Sequence, residues 1–236
     1  MTYEAKIHEV QTLILRDLLF VKSARFADVQ KNSGLDSDHF KFHIGRLVEI
    51  GYVDKTQKGE YMLTIIGKEY ANKLDTDAGV IERQPKVVVM LVIEREASGT
   101  KEYLLQQRRK HPYYGFWGAP TGKVRWGESI IDAASRELKE ETGLNGKFEH
   151  RGIFHERVMH DTNGEIVEDK IFHIMLCQKA SGELIDDFEG GHNEWRSFDD
   201  MKNEKNTYKS FYQEMEIGIK GISYVELLHS YGENEF

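Results

Sequence analysis

The sequence predicts an α+β chain in two units: three helices with a β-hairpin at the N-terminal end, then a region of strands gathered around one capped helix. Three observations carry that expectation. Apolar residues recur at helical spacing up to Ile50; the period then shortens to that of strands; and beyond Pro85 an unbroken apolar run opens a strand-rich region. At 236 residues, 39% apolar and 31% charged, the chain has a globular composition and room for two domains. No run reaches the length of a membrane span, and MTYEAKIHEV lacks the basic-then-apolar layout of a signal peptide. A cytoplasmic location and no membrane partner are expected. Cys177 is the single cysteine, so no internal disulfide forms, and its setting in IFHIMLCQK reads as a core strand thiol.

Residues 1–75 form the first expected domain. Ile7, Val10, Leu13, Ile14, Leu18 and Val21 mark one helix, Phe26 to Asn32 a second, and Asp36 to Ile50 a third after Gly34. Gly51-Tyr52-Val53 and Tyr61 to Thr64, joined by a Lys/Gln/Gly turn, read as a hairpin, and Gly67 to Leu74 returns to helix. This order, and the passage LVEIGYVDKTQKGEYMLTIIGKEYA above all, resembles a winged-helix domain of bacterial and archaeal regulators. The resemblance makes DNA a candidate partner, with the third helix in the major groove and Lys55 to Lys58 on phosphate, and a homodimer the expected assembly. The charge balance weighs against strong DNA binding: the segment has eleven basic and eleven acidic side chains, and Asp36 and Asp38 stand where phosphate or bases would lie.

Residues 76–84 read as a polar linker ending at Pro85, and residues 85–236 as the second domain. From Lys86, VVVMLVIERE has the length of a buried strand, Ala97 to Thr100 turns the chain, and Glu102 to Arg109 returns it. Strands around Ile153 to Val158 and Ile166 to Lys179 are joined by a turn at 161–164, and a further strand is expected over Trp195 to Phe198.

Between them lies GKVRWGESIIDAASRELKEETGL, residues 122–144. Ser129 and Asp132 have helix-capping spacing, and Gly143 can supply the left-handed residue that ends the helix. Ile131, Ala134 and Leu138 would bury against a sheet. Arg136, Glu137, Glu140 and Glu141 sit one, three and four residues apart, so the carboxylates share a face and repel unless a cation neutralises them. Hard divalent ions such as Mg²⁺ or Mn²⁺ suit such oxygen donors, and Arg136, four residues before Glu140, can hold one carboxylate in place.

The full spacing of Gly122, Glu128, Arg136-Glu137-Leu138-x-Glu140-Glu141-x-Gly143-Leu144 matches the signature of the Nudix hydrolases at every fixed position. The region from Pro85 onward is similar to that family's α/β/α sandwich with a mixed sheet. The resemblance implies Mg²⁺-dependent hydrolysis of a nucleoside diphosphate linked to another group. By position, Gly122, Glu128, Glu137, Glu140 and Glu141 would form the metal site, Arg136 would orient carboxylates, and Lys123 would shape the loop. A base outside the signature is expected in EGGHNEW, with Glu189 before Glu194. Arg108 and Arg109 would meet phosphate, and Tyr114 and Trp117 are candidates to stack on a nucleobase, although Phe116 and Trp117 also suit the core. The family often has Pro-Gly-Gly where this chain has Pro120-Thr121-Gly122.

The whole formal charge of −8 falls on residues 76–236, twenty-one basic against twenty-nine acidic, as an acidic metal site would require. Histidines 150, 155, 160, 173 and 192 lack zinc-ligand spacing. No proline follows Pro120, which speaks against the ADP-ribose subfamilies, and His160-Asp161-Thr162 replaces the tyrosine of dinucleoside polyphosphate hydrolases. A nucleoside triphosphate or nucleotide sugar stays open. Two functions compete: a working pyrophosphohydrolase, favoured by the intact carboxylates, and a nucleotide-sensing transcription regulator, favoured by the N-terminal module.

Overall fold

Helix α1 (Glu9–Leu19) begins where His8 accepts a hydrogen bond from the Val10 amide and the Gln11 side chain closes back on the His8 amide. α2 (Phe26–Ser33) ends on left-handed Gly34, and Asp36 caps α3 (Ser37–Glu49) by accepting from the Asp38 and His39 amides. The backbone then forms a hairpin of β1 (Val53–Lys55) and β2 (Tyr61–Leu63), with Ala24 bridged to Tyr61, and closes with α4 (Ile65–Ala71). Ile14, Leu15, Leu18, Phe40, Ile44 and Leu47 make the centre of a core that belongs to this unit alone.

A computed structural model describes residues 7–74 and 81–232, and contacts divide the chain into two units, Met1–Arg83 and Gln84–Phe236. Residues 76–80 of the expected linker lie outside the described residues.

The second unit is organised by β3 (Lys86–Ala97). Val88, Met90 and Val92 face one side of the sheet, Val89, Leu91 and Ile93 the other, and both sides are covered, which is why the run is apolar without alternation. Its first part pairs in parallel with β8 (Ile166–Cys177), and residues 94–97 pair with β4 (Thr100–Arg108) through a turn at Ser98-Gly99. β5 (Trp117–Gly118) adds to β4, and β6 (Thr121–Lys123) to β3. With β7 (Glu149–His160), β9 (Asp187–Phe188), β10 (Gly191–Arg196) and β11 (Tyr224–Tyr231), the mixed sheet has the order β11-β7-β8-β3-β4-β10-β9. On one face lies α5 (Ile130–Thr142); on the other α7 (Phe211–Lys220) packs Phe211, Met215 and Ile217; the short α6 (Phe198–Met201) follows β10.

α5 starts and stops at Ser129 and Gly143, as its caps predict. Its buried stripe differs by one position: Ile131 is 57% exposed, whereas Ile130 packs on the cluster containing Ala133, Ala134 and Leu138. Cys177 is fully buried. The last strand before the C-terminal elements is corrected too, because β10 begins at Gly191 and Phe198 already opens α6. Among the described residues no helix is long and apolar enough to cross a membrane.

Candidate active site

Glu137 and Glu141 stand one turn apart on α5 and share the wall of a cavity of about 500 Å³ with Gln106, Arg108, Lys110 and Lys123. β6 lies against α5 so closely that a Cβ on Gly122 would fall 1.9 Å from the Glu137 carboxyl carbon. Only glycine fits there, which gives this fixed position of the signature a steric cause.

Arg136 organises the remaining carboxylates. Its Nε and Nη2 donate to the two oxygens of Glu128 at 2.7 and 2.8 Å, and Nη1 to Glu137 at 2.5 Å and to Glu140 at 3.2 Å. Nη2 also donates to the Lys123 carbonyl at 3.0 Å, which ties the helix to β6. Such a two-point guanidinium–carboxylate pair fixes direction as well as charge. The Arg136 contact holds the Glu128 carboxyl down to about 2, with the Arg125 amide adding a hydrogen bond, and the same carboxylates push Arg136 up. Glu140 is exposed and also receives Arg125, so it does not line the cavity.

Burial pushes the Glu141 carboxyl up; the hydrogen bond from Gln106, at 3.0 Å, opposes it. Asn193, 1% exposed on β10, donates to the carbonyls of Glu141 and Ile185 at 2.8 Å and accepts from Gln106. Gln106 and Asn193 therefore fix Glu141 from the opposite strand pair; sequence reasoning passed over both, although Asn193 stands in the EGGHNEW stretch it singled out.

Other expected contacts distribute differently. Arg108 lines the cavity, but its guanidinium is engaged by the carbonyls of Lys110, His111 and Pro112, so it shapes that turn. Arg109 pairs with Asp187 at 2.7 Å away from the cavity lining, and Tyr114 is 60% exposed outside it. Trp117 is buried in the core beneath Arg196 instead of meeting a base. Glu194 lies on β10 opposite Leu105 with its side chain outward, not in a loop, because alternation along the strand buries Asn193 and turns Glu194 out. Glu189 is exposed on the turn between β9 and β10; it does not line the cavity, but the adjoining Gly190 lies beside Lys110, which does.

Among the described residues no three His, Cys, Asp or Glu side chains converge as a metal-holding group, since Glu128, Glu137 and Glu140 turn to arginine. The donor chemistry nevertheless suits a hard cation: carboxylates crowded on one helix, with backbone brought close by Gly122.

The sequence model of the NUDIX domain matches residues 83–215. An ADP-ribose pyrophosphatase of Methanocaldococcus jannaschii is 30% identical over 111 residues, covering 45% of this chain and 63% of that protein. The chain thus matches less than two thirds of that relative's length. A MutT protein of Bacillus halodurans superposes with a TM-score of 0.51 at 25% identity, over 64% of this chain and 93% of the other. The NUDIX domain of Shewanella oneidensis NrtR, solved with ADP ribose, gives 0.52 at 19% identity, over 67% and 98%, a likeness of fold.

Proposed function

The chain belongs to the Nudix hydrolase family, and on that premise we propose that it is a divalent-cation-dependent pyrophosphohydrolase acting on a nucleoside diphosphate linked to another group. The observation that carries this reading is the placement of Glu137 and Glu141 in the lining of one cavity with Lys110 and Lys123, so that carboxylates for a cation and cations for phosphate meet in one space.

Nudix hydrolases generally use divalent metal ions such as Mg²⁺. A bound cation neutralises the diphosphate oxygens and lowers the pKa of the attacking water. In this chain Glu137 and Glu141 would hold it, with Glu140 and Glu128 joining as Arg136 yields them. Gln106 and Asn193 keep Glu141 oriented. Lys110 and Lys123, in the same lining, would meet the phosphates. Glu189 keeps the role of proton acceptor in this reading because its turn borders Lys110 at the cavity edge. The substrate panel includes nucleoside triphosphates, nucleotide sugars and ADP-ribose, the last because the archaeal relative bears that name. The test is nucleotide or phosphate release from the panel with and without Mg²⁺; no cation-dependent release from any member refutes the proposal.

A second reading rests on the first unit. The sequence of three helices, hairpin and closing helix, with Ala24 bridged to β2, supports a winged helix that binds DNA or assembles a homodimer, the second unit then sensing a nucleotide. Asp36 is occupied as the α3 cap and by His39, contacts that lower its pKa and so keep the carboxylate charged where phosphate would lie, which weighs against this reading. Salt-sensitive DNA binding that changes with added nucleotide would favour this reading over catalysis.

A further inference from the structure

The turn between β4 and β5, residues 109–116, carries Lys110 to the cavity, and its backbone is held by more than a turn requires. Arg108 anchors one side. Its Nε donates to the carbonyls of Lys110 at 2.9 Å and Pro112 at 2.6 Å, and its Nη2 to that of His111 at 3.4 Å. Its own amide donates to the Phe116 carbonyl at 2.8 Å, and its carbonyl accepts from the Gly115 amide at 2.7 Å. Three successive carbonyls thus turn to one guanidinium, whose planar fork fixes direction as an ammonium would not.

The other side hangs on Tyr113. Its φ of +64° lies in the left-handed region, which a bulky side chain occupies only at a cost. Glycine would take that conformation freely, as Gly115 does two residues on, so the tyrosine contributes through its side chain. The ring is 4% exposed and packs edge-on against Tyr208 and Tyr231, with centroids 5.3 and 4.9 Å away. Its hydroxyl donates at 3.2 Å to Glu168, to an oxygen that also receives Lys170 at 2.5 Å. Glu168 and Lys170 belong to β8 and Tyr231 to β11, so the turn that follows β4 is tied to strands on the far side of β3.

Between these two anchors stands Lys110, beside the β9–β10 turn, where a Cβ on Gly190 would lie 3.4 Å from its Nζ. Burial, and with less weight the charge of Glu137, push the Glu141 carboxyl up, whereas the Gln106 hydrogen bond and the charges of Lys110 and Arg108 hold it down. The Lys110 ammonium therefore acts where the cation and the diphosphate would meet. We propose that Arg108 and Tyr113 are positioning residues of the reaction, which together hold the turn as a preformed bracket that aims Lys110 at the diphosphate beside Glu141. Neither needs to touch the substrate. Lys110 supplies the charge, and the bracket fixes the backbone from which its flexible stem starts, so that less order is left to be imposed at binding. The inference rests on the diphosphate reading above. A tyrosine that only filled the core would have the same effect with or without Lys110, whereas one that acts through Lys110 loses its effect when Lys110 is removed.

The experiment is a double-mutant cycle on the full chain, read by calorimetric binding of inorganic pyrophosphate with Mg²⁺ and by kinetics on the best substrate of the panel. Lys110→Ala should weaken pyrophosphate binding about tenfold to a hundredfold, the range of a hydrogen bond between charged groups. Tyr113→Gly takes the same φ without strain but loses the ring, and should weaken binding about three- to tenfold, as should Arg108→Gln. KM should rise by the same factor with kcat kept within about threefold. In the Lys110→Ala background neither change should weaken binding further. If the glycine variant does not fold, Arg108→Gln carries the cycle; it also separates positioning from direct contact, since a guanidinium on phosphate would keep its effect without Lys110. Effects that multiply across the cycle, a fall in kcat at constant KM that tracks thermal unfolding, or unchanged binding in Tyr113→Gly and Arg108→Gln each overturn the proposal. Turnover with a multiplicative cycle overturns it and leaves the hydrolase reading intact; effects on pyrophosphate binding that vanish with Lys110, with no turnover of any panel member, do the reverse. No pyrophosphate binding by the wild-type chain overturns the proposal, and with no turnover the hydrolase reading as well.

Discussion

Gly122→Ala perturbs the site without removing a charged group. The added Cβ would sit 1.9 Å from the Glu137 carboxyl carbon and 2.0 Å from its Cγ, whereas Cβ contacts under 3.0 Å essentially never occur. Relief therefore requires a movement of about 1 Å, and the atoms that can give way are the end of a flexible side chain, because the β6 backbone is pinned to Met90 and Val88 on either side of Val89. The fold should survive with Glu137 displaced from Arg136 and from the cavity wall. A 1 Å misplacement in a preorganised site costs about 100-fold in rate. The assay is Mg²⁺-dependent turnover against the best substrate of the panel, with thermal unfolding as the control. Turnover within a few-fold of wild type, or a loss explained wholly by unfolding, would refute the view that Gly122 exists to let Glu137 approach.

Glu141→Gln and Glu137→Gln should keep the wild-type melting behaviour and lower kcat by about two to three orders of magnitude, as measured by product release; near-native rates in both would remove them from the metal site. Arg136→Lys loses the two-point hold on Glu128, so Mg²⁺ affinity followed by calorimetry should weaken about 10- to 100-fold, and unchanged affinity would reduce Arg136 to a structural tie. Glu189→Gln should slow turnover while sparing Mg²⁺ binding, and an unchanged rate would rule it out as the base. For the first unit, Lys55→Ala should weaken any DNA binding uniformly across sequences and reduce the salt slope by about one, read by polarisation titration; no salt-sensitive binding at all leaves the module as an assembly surface.

How far these features were legible in the sequence depends on whether their cause is local. The α5 boundaries follow from Ser129 and Gly143 alone, and β3 from a run that only a strand covered on both faces would carry. Local logic also explains the misses. Ile131 lies in the first turn, where Ile130 takes the packing position, a shift of one residue that a periodic pattern does not resolve. β5 and β6 span two and three residues, too short for a period to show, and exist because β4 and β3 offer them partners. α7 and β11 carry the patterns of ordinary amphipathic elements, yet no local signal says that β11 runs parallel to β7 at the end of the sheet.

The site divides along the same line. Its signature half comes from one helix and one loop, so fixed spacing on the chain becomes fixed spacing in space, and Gly122 meets Glu137 because β6 returns along β3 beside α5. The other half comes from a strand pair and a distant helix: Glu156, Glu168 and Glu214 look like surface glutamates in the sequence, and only the β7–β8 register and the packing of α7 bury them together. Charge reading failed there for a definite reason. The acidic excess after residue 76 looked like a metal site, but part of it lies in this second cluster, where Lys170 pairs with Glu168 and the Ser210 hydroxyl bridges Glu156 and Glu214. Burial first, and the charge of Glu156 second, push the Glu214 carboxyl up, and a count of formal charges cannot express such a shift. The two halves therefore differ in physical cause, one crowding carboxylates along a single helix beside a glycine strand and the other burying carboxyls from two strands and a distant helix against a lysine and a hydroxyl, and both line one cavity of about 500 Å³.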